Sequence, residues 1–307
     1  MTEAAERAPR QSLPPIRDTR RPRHQLPAGS TDCHCHTFED TGRYPRGKEF
    51  SYVPAPAPLS HYLRMCETVG LQRTVQINSS IYGFDSTVTL DVIATLGRHR
   101  ARGVAGIRPD AARAELERLH AGGIRGARLS TKVKGYGGTE LIDVIAGKIK
   151  PLGWHLDLHL GGVAEVAALE SHFLKLPVPL VFDHMGSVRG KEGAGAPGFQ
   201  ALLRILRQRD DCWAKISSWY RLSEAGPPDW PDMKPMAQAL IEARPDRLVW
   251  GSNWPHPNRY QEGDVPNDGD LIDAFCDWVP DAAIRERILV ANPARLYGFA
   301  PPSGAGN

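Results

Sequence analysis

The chain has 307 residues, of which 41% are hydrophobic and 24% charged, and its formal net charge is +3. These proportions are those of an ordinary globular protein and exclude collagen-like, coiled-coil and wholly disordered chains. A chain of this length buries enough apolar surface to be stable without disulfides or a structural metal. The surplus of positive charge lies in residues 1–30 and the remainder is balanced, so we predict no nucleic-acid partner and no polybasic membrane surface.

The sequence also indicates where the protein works. No apolar run is long enough to span a membrane, and no hydrophobic segment follows the N-terminal arginines as it would in a secretory signal. The cysteines number five, and the spacing of Cys33 and Cys35 is too short for a zinc knuckle. We therefore expect a cytoplasmic protein with reduced thiols and no membrane partner, and the sequence leaves its oligomeric state open.

Residues 1–30 combine six arginines with several prolines and show no apolar periodicity. Such a segment has too little apolar surface to pack as a helix or strand, so we predict a disordered, flexible arm. An RNA-binding arm is the alternative, but a solvated tail is the more common form of such a terminus. Residues 301–307 are predicted to be a tail outside the folded domain.

From residue 31, short runs rich in β-branched residues alternate with segments of helical period, which predicts strand and helix units around a parallel sheet. We predict eight strands, at residues 31–36, 73–78, 104–108, 126–130, 155–160, 179–184, 212–217 and 247–252. The predicted helices are residues 59–69, 86–102, 111–121, 139–150, 163–175, 198–208, 235–243 and 270–279. This rhythm indicates an α/β fold, a single-domain (β/α)8 TIM barrel over residues 31–300. A doubly wound open sheet is the alternative, but the turn after the first strand lacks its phosphate-binding glycines.

Polar side chains concentrate at the C-terminal ends of four predicted strands, the end at which TIM barrels place their active sites. In the first strand, strict alternation puts Asp32, His34 and His36 on one face, and Cys33 and Cys35 on the other, toward the helices. The fifth, sixth and eighth strands and the segments that follow them supply the remaining polar residues: His155, Asp157, His159, Asp183, His184, Asn253 and His256. Because burying several imidazoles is costly unless they bind or react with something, we predict one shared functional site.

These residues resemble the pattern of the amidohydrolase superfamily, in which His-x-His follows strand one, histidines follow strands five and six, and an acid follows strand eight. The resemblance is specific to the 2-pyrone-4,6-dicarboxylate hydrolase branch, whose members open lactone rings in aromatic catabolism. It runs in order from about residue 31 to residue 299 and rests on six stretches: Asp32-Cys33-His34-Cys35-His36, Gly126-Ala127-Arg128, Gly153-Trp154-His155, Asp183-His184-Met185-Gly186, Ala225-Gly226-Pro227-Pro228 and Trp250-Gly251-Ser252-Asn253-Trp254-Pro255-His256-Pro257-Asn258.

The resemblance implies a hydrolase that opens the lactone of a small carboxylated, anionic substrate. It implies catalytic residues at His34, His36, His159, His184 and Asn253, and substrate-binding residues at Tyr52, Ser79, Arg128, Lys134, Arg221 and His256. Arg128 and Arg221 suit this role because a guanidinium binds a carboxylate through two charge-assisted hydrogen bonds. Lys134 stands where the branch has arginine, which keeps the charge but loses the planar fork.

Asn253 stands where lactone-hydrolysing members of the branch have aspartate. An amide does not accept a proton at neutral pH, so Asn253 is not the general base that activates water. As a hydrogen-bond donor it would instead stabilise the oxyanion formed at the lactone carbonyl. Hydrolysis then needs an imidazole, that of His184 or His36, as the base.

Three alternatives to this mechanism stay open. A substrate hydroxyl replaces water in a metal-independent lactone isomerase of the D-galactarolactone isomerase type, in which this position is also asparagine. A zinc ion held by His34, His36 and His159 would activate water in a metal-dependent hydrolase, although we expect that no cofactor is required. A catalytically silent barrel that binds an anionic lactone is the third alternative.

Overall fold

The structure is a computed structural model, which describes residues 9–300. Eight parallel strands lie in chain order around one sheet, β2-β4-β5-β6-β7-β8-β9-β10, and β1 pairs with β3 outside it. The strands are β1 (Arg10–Gln11), β2 (Thr31–Cys35), β3 (Tyr52–Val53), β4 (Arg73–Ile77), β5 (Ala101–Ala105), β6 (Ile124–Ser130), β7 (His155–His159), β8 (Leu180–Phe182), β9 (Cys212–Ser217) and β10 (Leu248–Gly251). The predicted (β/α)8 barrel is therefore confirmed.

Helices connect successive barrel strands and cover the outside of the sheet. They are α1 (Leu59–Val69), α2 (Thr87–Leu96), α3 (Arg113–Ala121), α4 (Ile142–Ile149), α5 (Ala164–Ala168), α6 (Glu170–Phe173), α7 (Pro197–Gln208), α8 (Lys234–Ala243), α9 (Asp268–Trp278), α10 (Ala282–Glu286) and α11 (Asn292–Tyr297). Helix α7 shows why these segments are helical: Pro197 occupies the first turn, and Leu202, Ile205 and Leu206 form a buried stripe at helical spacing.

The barrel closes between its first strand, β2, and its last, β10. The Asn253 N–H donates to His34 O at 2.7 Å. Asp32 on β2 accepts hydrogen bonds from Ser252 N–H (3.0 Å) and Ser252 Oγ (2.5 Å), and from the Tyr62 hydroxyl of α1 (3.0 Å). Asp32 thus joins both ends of the sheet to the helix layer, which gives this buried carboxyl a structural role.

Side chains of the barrel strands alternate between an outer core under the helices and the interior of the barrel. In β7, Leu156 and Leu158 pack in the outer core, and His155, Asp157 and His159 occupy the opposite, inward face. The regular period of two in this strand produces the arrangement predicted from its sequence.

Strand β2 departs from strict alternation, which corrects the predicted faces of Asp32 and Cys33. Its register against β4 shifts between Asp32 and Cys35, as in a β-bulge. Asp32 therefore points outward to Tyr62, and Cys33 packs in a second core formed by interior residues of several strands, among them Val75, Val104, Val181 and Val249. Cys35 faces outward as predicted and contacts the Thr74 hydroxyl at 2.9 Å.

The structure also corrects the predicted boundaries between residues 86 and 108. Helix α2 ends at Leu96, because Gly97 adopts a left-handed φ of 77°, and β5 begins at Ala101, three residues before the predicted strand. Arg102, predicted as the end of the helix, lies in β5, where its guanidinium donates to Tyr297 O and Gly298 O at the C-terminal end of α11. An arginine that is anchored in this way does not have the exposure expected of a helix surface.

Residues 9–30, the part of the predicted arm that the structure describes, contact the barrel. Arg20 Nη2 donates to Asp273 (2.6 Å), and Arg23 Nη2 donates to Asp277 (2.7 Å), so the arm is paired with α9. The arginines that suggested a solvated tail have carboxylate partners more than 240 positions along the chain, which no local pattern indicates. The rest of the predicted arm, residues 1–8, and the predicted tail, residues 301–307, lie outside the described residues.

Two further findings concern the whole described chain. No helix within residues 9–300 combines the length and apolar character needed to cross a membrane. All five cysteines are free thiols and are buried.

Candidate active site

A fully buried cluster of charges lies inside the barrel, beneath the C-terminal ends of its strands. The ammonium group of Lys215 on β9 lies 2.5 Å from Asp157 Oδ2 on β7 and 3.0 Å from Asp183 Oδ1, which follows β8. Asp183 also accepts hydrogen bonds from Arg128 Nη2 (2.7 Å) on β6 and from His34 Nδ1 (3.1 Å) on β2. Side chains from five neighbouring parts of the sheet thus meet around one carboxylate.

Pairing compensates these charges for their burial. Burial by itself would raise the pKa of Asp183, but Lys215, His34 and Arg128 outweigh it and hold that pKa well below its ordinary value. Burial and the neighbouring charge of Asp183 raise the pKa of Asp157 above its ordinary value, and the ammonium group of Lys215 opposes that rise. Asp183 is therefore an anion at neutral pH.

Four imidazoles gather above this cluster. The ring centroids of His34 and His184 are 4.7 Å apart, those of His34 and His36 are 5.1 Å apart, and those of His159 and His184 are 5.1 Å apart. Burial lowers the pKa of all four, that of His36 to about 3. The structure therefore brings the four predicted catalytic histidines together as neutral rings, each with one lone pair.

Hydrogen bonds determine which ring nitrogens are available. His36 Nδ1 donates to Ile77 O at 2.8 Å, and His34 Nδ1 donates to Asp183, so Nε2 carries the lone pair in both rings. The Nε2 atoms of His34 and His184 are buried without a hydrogen-bond partner among the residues described. Unpaired buried polar atoms are costly, so these two nitrogens are available to a ligand that reaches them.

Two adjoining cavities open above the imidazoles and share His159, His184 and Arg221 in their walls. The narrow one is also lined by His36, Tyr52, Ser79, Arg128, Asn253 and Asn258. The wider one has a volume of about 330 Å³ and adds the basic residues Lys132, Arg189 and Arg259. This volume suits a small molecule, and the excess of basic side chains favours an anion.

Arg221 ends the 3₁₀ turn Trp219–Arg221 after β9 and lines both cavities. Burial lowers the pKa of its guanidinium, and the nearby cations Arg259 and Arg128 lower it further. Within residues 9–300, no carboxylate pairs with this guanidinium. A half-buried cation without a counter-ion is unfavourable, so this position suits an anionic group of a ligand.

Asn253 lies in the wall of the narrow cavity, but other protein groups use its amide. Its Nδ2 donates to Tyr220 OH (2.8 Å) and to Ser218 Oγ (3.2 Å), and its side chain also contacts His36. Both amide N–H bonds therefore already have acceptors. This geometry leaves no free N–H for the oxyanion role that the sequence suggested for Asn253.

Several residues of these walls have left-handed backbones without being glycine. His184 has φ 51°, Asn253 has φ 61° and Asn258 has φ 64°. Each such residue costs about 1 kcal/mol or more, and the surrounding structure must supply that energy. Strain of this kind concentrates where a side chain must be aimed at a ligand, as His184 is aimed from the end of β8.

The predicted substrate-binding residues divide into two groups. Tyr52, Ser79, Arg128 and Arg221 line the narrow cavity, and the Tyr52 hydroxyl lies 2.9 Å from Ser79 Oγ. Lys134 and His256 line neither of the two cavities. Lys134 lies in the loop after β6, where its neighbour Lys132 lines the wider cavity, and His256 lies behind Asn253, with Nδ1 3.0 Å from Tyr220 OH.

Sequence reasoning missed Lys215, Lys132 and Tyr220. A signal for Lys215 was present, because alternation along Cys212–Ser217 puts it on the same face as Trp213 and Ser217, and a lysine inside a buried strand needs an acidic partner. Nothing local distinguishes Lys132 from the neighbouring Lys134. Tyr220 lies in the short turn after β9, and no periodic pattern in the sequence indicates which way its side chain points.

Comparison with known proteins identifies the family to which this barrel belongs. A family model described as amidohydrolase matches residues 31–299. The chain belongs to the amidohydrolase family. The match begins at β2 and extends past α11, so it covers the barrel and leaves out residues 9–30.

This amidohydrolase has similar relatives of known activity. It is 33% identical over 286 residues to 2-pyrone-4,6-dicarboxylate hydrolase of Comamonas testosteroni, covering 90% of this chain and 92% of that one. It is 34% identical to 4-sulfomuconolactone hydrolase of Rhizobium radiobacter, covering 89% and 91%. It is 26% identical to D-galactarolactone isomerase of Agrobacterium fabrum, covering 91% and 94%. The names of all three relatives contain a pyrone or a lactone.

The amidohydrolase barrel also contains one group of side chains spaced for a metal ion. Within residues 9–300, His34, Asp183 and His184 form the group of ligands whose donor atoms all lie within 4.8 Å of one another. This set shares only His34 with the set predicted from the sequence, His34, His36 and His159. The difference arises because Asp183 follows β8 directly and reaches His34 across the barrel.

Proposed function

We propose that this amidohydrolase opens the lactone ring of a small carboxylated, anionic substrate by hydrolysis. The observation that supports it most is that Arg221 and His184 line the same cavity. The Arg221 guanidinium has no carboxylate partner among the described residues, and His184 Nε2 has no hydrogen-bond partner there. The first binds an anion and the second accepts a proton beside it. The two lactone hydrolases among the relatives, at 33% and 34% identity, support the same reaction class.

Substrate binding depends on the two arginines of the narrow cavity. Arg221 takes the substrate carboxylate, since no described carboxylate occupies its guanidinium. Arg128 is held by Asp183 through Nε and Nη2, which fixes its orientation and leaves N–H donors for the lactone carbonyl. A rigid donor of this kind stabilises the oxyanion without reorganising during the reaction.

The imidazole of His184 is the proposed general base. Its Nε2 takes a proton from water while the water oxygen bonds to the lactone carbonyl carbon. The tetrahedral oxyanion then expels the ring oxygen, which receives the proton from His184 as the ring C–O bond breaks. Asp183 favours the transient imidazolium, whereas Arg221 and Arg128 oppose it. The product is an open-chain acid with one carboxylate more than the substrate.

We further propose that this reaction needs no metal. Asp183 Oδ1 already lies 3.0 Å from Lys215 Nζ and accepts from His34, and its Oδ2 accepts from Arg128. A divalent ion at this carboxylate would have to displace two cations or lie against them, which Coulomb repulsion disfavours. The residues present therefore do not fit a zinc site well, although their donor atoms are close enough.

The metal proposal is tested by chelation. The purified protein is treated with a chelator, its metal content is measured by mass spectrometry, and lactone hydrolysis is assayed before and after zinc is added back. We expect the chelator-treated protein, with less than one zinc ion per chain, to hydrolyse the lactone as fast as the untreated protein. Activity that disappears with the metal and returns with zinc would show that the barrel binds its cation despite Lys215.

Hydrolysis itself is tested by isotope labelling. The protein is incubated with a panel of carboxylated lactones in H₂¹⁸O and the products are followed by NMR and mass spectrometry. We expect one ¹⁸O atom in the new carboxylate of the open-chain acid. Lactones that all remain unchanged while they raise the melting temperature would instead identify a silent binding protein.

Isomerisation is the second candidate function, and Asn253 is the observation that favours it. With an amide rather than a carboxylate at the end of β10, the site has no carboxylate base beside the lactone. A hydroxyl of the bound substrate is a nucleophile that is already held close to the carbonyl carbon, whereas water has to be positioned by the protein. The similarity to D-galactarolactone isomerase, at 26% identity over 283 residues, supports this second candidate. In the labelling experiment, an isomerase gives a new lactone without ¹⁸O.

A further inference from the structure

Residues 10–13, which we call the N-terminal clasp, contact two different loops at the mouth of the barrel. On one side β1 pairs in parallel with β3, with Arg10 opposite Tyr52, and Ser12 N–H donates to Val53 O at 2.7 Å. These bonds connect the clasp to the loop that follows β2. That loop carries Tyr52 into the narrow cavity.

On its other side the clasp contacts the loop that follows β10. Leu13 N–H donates to Arg259 O at 2.8 Å, and Asn258 N–H donates to Ser12 Oγ at 3.2 Å. The Arg10 guanidinium lies over the Tyr260 ring, 4.4 Å from its centroid, at a distance typical of a cation–π contact. Asn258 lines the narrow cavity and Arg259 lines the wider one.

Ser12 is the residue at which the two sets of contacts meet. It is 3% exposed, its N–H bonds to the first loop and its hydroxyl bonds to the second. The arm behind it is fixed to α9, because Arg20 N–H donates to Asn267 Oδ1 at 2.9 Å and the Arg20 backbone packs against Gly269. The clasp is therefore tethered on the side away from the cavity as well.

We propose that the N-terminal clasp is a positioning element of the active site, which holds the Tyr52 loop and the 258–260 loop in the conformation that binds substrate. The family match covers residues 31–299, so the clasp lies outside the matched part of the barrel. Both loops contribute walls, whereas the proposed base His184 and Arg128 come from other strands. Loss of the clasp therefore raises KM and leaves kcat nearly unchanged, an expectation that rests on the proposed hydrolysis.

Full-length Ser12→Pro is the variant that tests this proposal, since proline removes both the N–H donor and the hydroxyl acceptor. Two lost hydrogen bonds correspond to about a tenfold rise in KM, with kcat unchanged within about twofold. We also expect faster hydrogen exchange in residues 52–58 and 256–262 and unchanged exchange in the barrel strands. Ser12→Thr keeps both groups and is expected to retain wild-type behaviour. Arg17→Pro is the matched control, because Arg17 is an exposed position of the same arm.

Two results overturn the proposal: unchanged exchange of both loops in Ser12→Pro, or faster exchange without a rise in KM. The exchange measurement needs no substrate, so it separates this inference from the proposed function. If the wild-type protein hydrolyses no lactone, the proposed reaction is wrong, and the exchange pattern still decides whether the clasp holds the two loops.

Discussion

The amide of Asn253 is held at the end of β10 by Tyr220 and Ser218 and contacts His36. Its surroundings contain two hydroxyl groups and an imidazole, which suit a carboxylate as well as an amide, because a hydroxyl is both donor and acceptor. A carboxylate at this position would face the same cavity and would be able to accept a proton from water. The barrel therefore has room for two bases, of which the natural sequence supplies only the imidazole.

Asn253→Asp is expected to raise lactone hydrolysis. General acid–base catalysis contributes about 10²–10⁴-fold, and we expect an increase in kcat of about tenfold or more, because His184 already supplies part of this effect. The measurement is kcat and KM with the best wild-type substrate. The matched double variant, Asn253→Asp with His184→Gln, is expected to stay more active than His184→Gln alone. No gain with any lactone would contradict the position assigned to Asn253.

The pH dependence of hydrolysis follows from the buried state of His184. Burial, together with nearby cations, lowers the pKa of its imidazole well below 6.5, so the ring stays neutral and able to accept a proton as the pH falls through 6.5. We expect kcat/KM to remain level from about pH 7.5 to 6 on this ground, with fluorescence as the control that the protein stays folded. A decrease centred at pH 6.5 or above in folded protein would exclude a desolvated imidazole as the base.

At the scale of elements, strands β7 and β9 are joined inside the barrel by Asp157 and Lys215, 2.5 Å apart. Removing one member of a buried ion pair costs more than removing both, because the remaining charge is left desolvated. Lys215→Met is expected to lower the free energy of unfolding by about 3–5 kcal/mol. In the double variant with Asp157→Leu, we expect more than half of that loss to be recovered.

Urea denaturation of the two Lys215 variants measures this difference. Lys132→Met, at an exposed lysine of the wider cavity, is the control and is expected to change stability by less than about 0.5 kcal/mol. Equal destabilisation of the single and double variants would mean that Lys215 stabilises the fold mainly through Asp183 rather than through Asp157.

The strands also show what a sequence can and cannot predict. In β7 the period of two placed His155, Asp157 and His159 on one face, because no irregularity interrupts the strand. In β2 the bulge between Asp32 and Cys35 reversed the face of Cys33, and bulges have no reliable local signal. The partners of Arg20 and Arg23 are carboxylates of α9, a contact that exists only once the barrel has closed. Eight strand–helix units were predictable because each repeats a local pattern.

Over the whole molecule, the net charge of +3 conceals an uneven distribution. The wider cavity has Lys132, Arg189, Arg221 and Arg259 in its walls against the single acid Glu192. Arg189 is partly neutralised by Glu224 at 3.4 Å, but Arg221 has no such partner within the described chain. A mouth of one sign raises the local concentration of a ligand of the opposite sign.

Salt should therefore weaken the reaction with anionic substrates. The Debye length is about 10 Å at 0.1 M salt, so added salt screens the attraction between these basic side chains and an approaching anion. We expect kcat/KM for a carboxylated lactone to fall several-fold between about 20 and 200 mM NaCl. An uncharged lactone with the same ring is expected to show little change. Lys132→Gln removes one positive charge from the wider cavity and leaves Arg221 in place. We expect it to weaken the salt dependence of kcat/KM for the carboxylated lactone. For the uncharged lactone, we expect this variant to leave kcat/KM unchanged. If charged and uncharged lactones respond equally to salt, the basic residues of the wider cavity do not attract the substrate, and its carboxylate is recognised only by contact with Arg221 and Arg128.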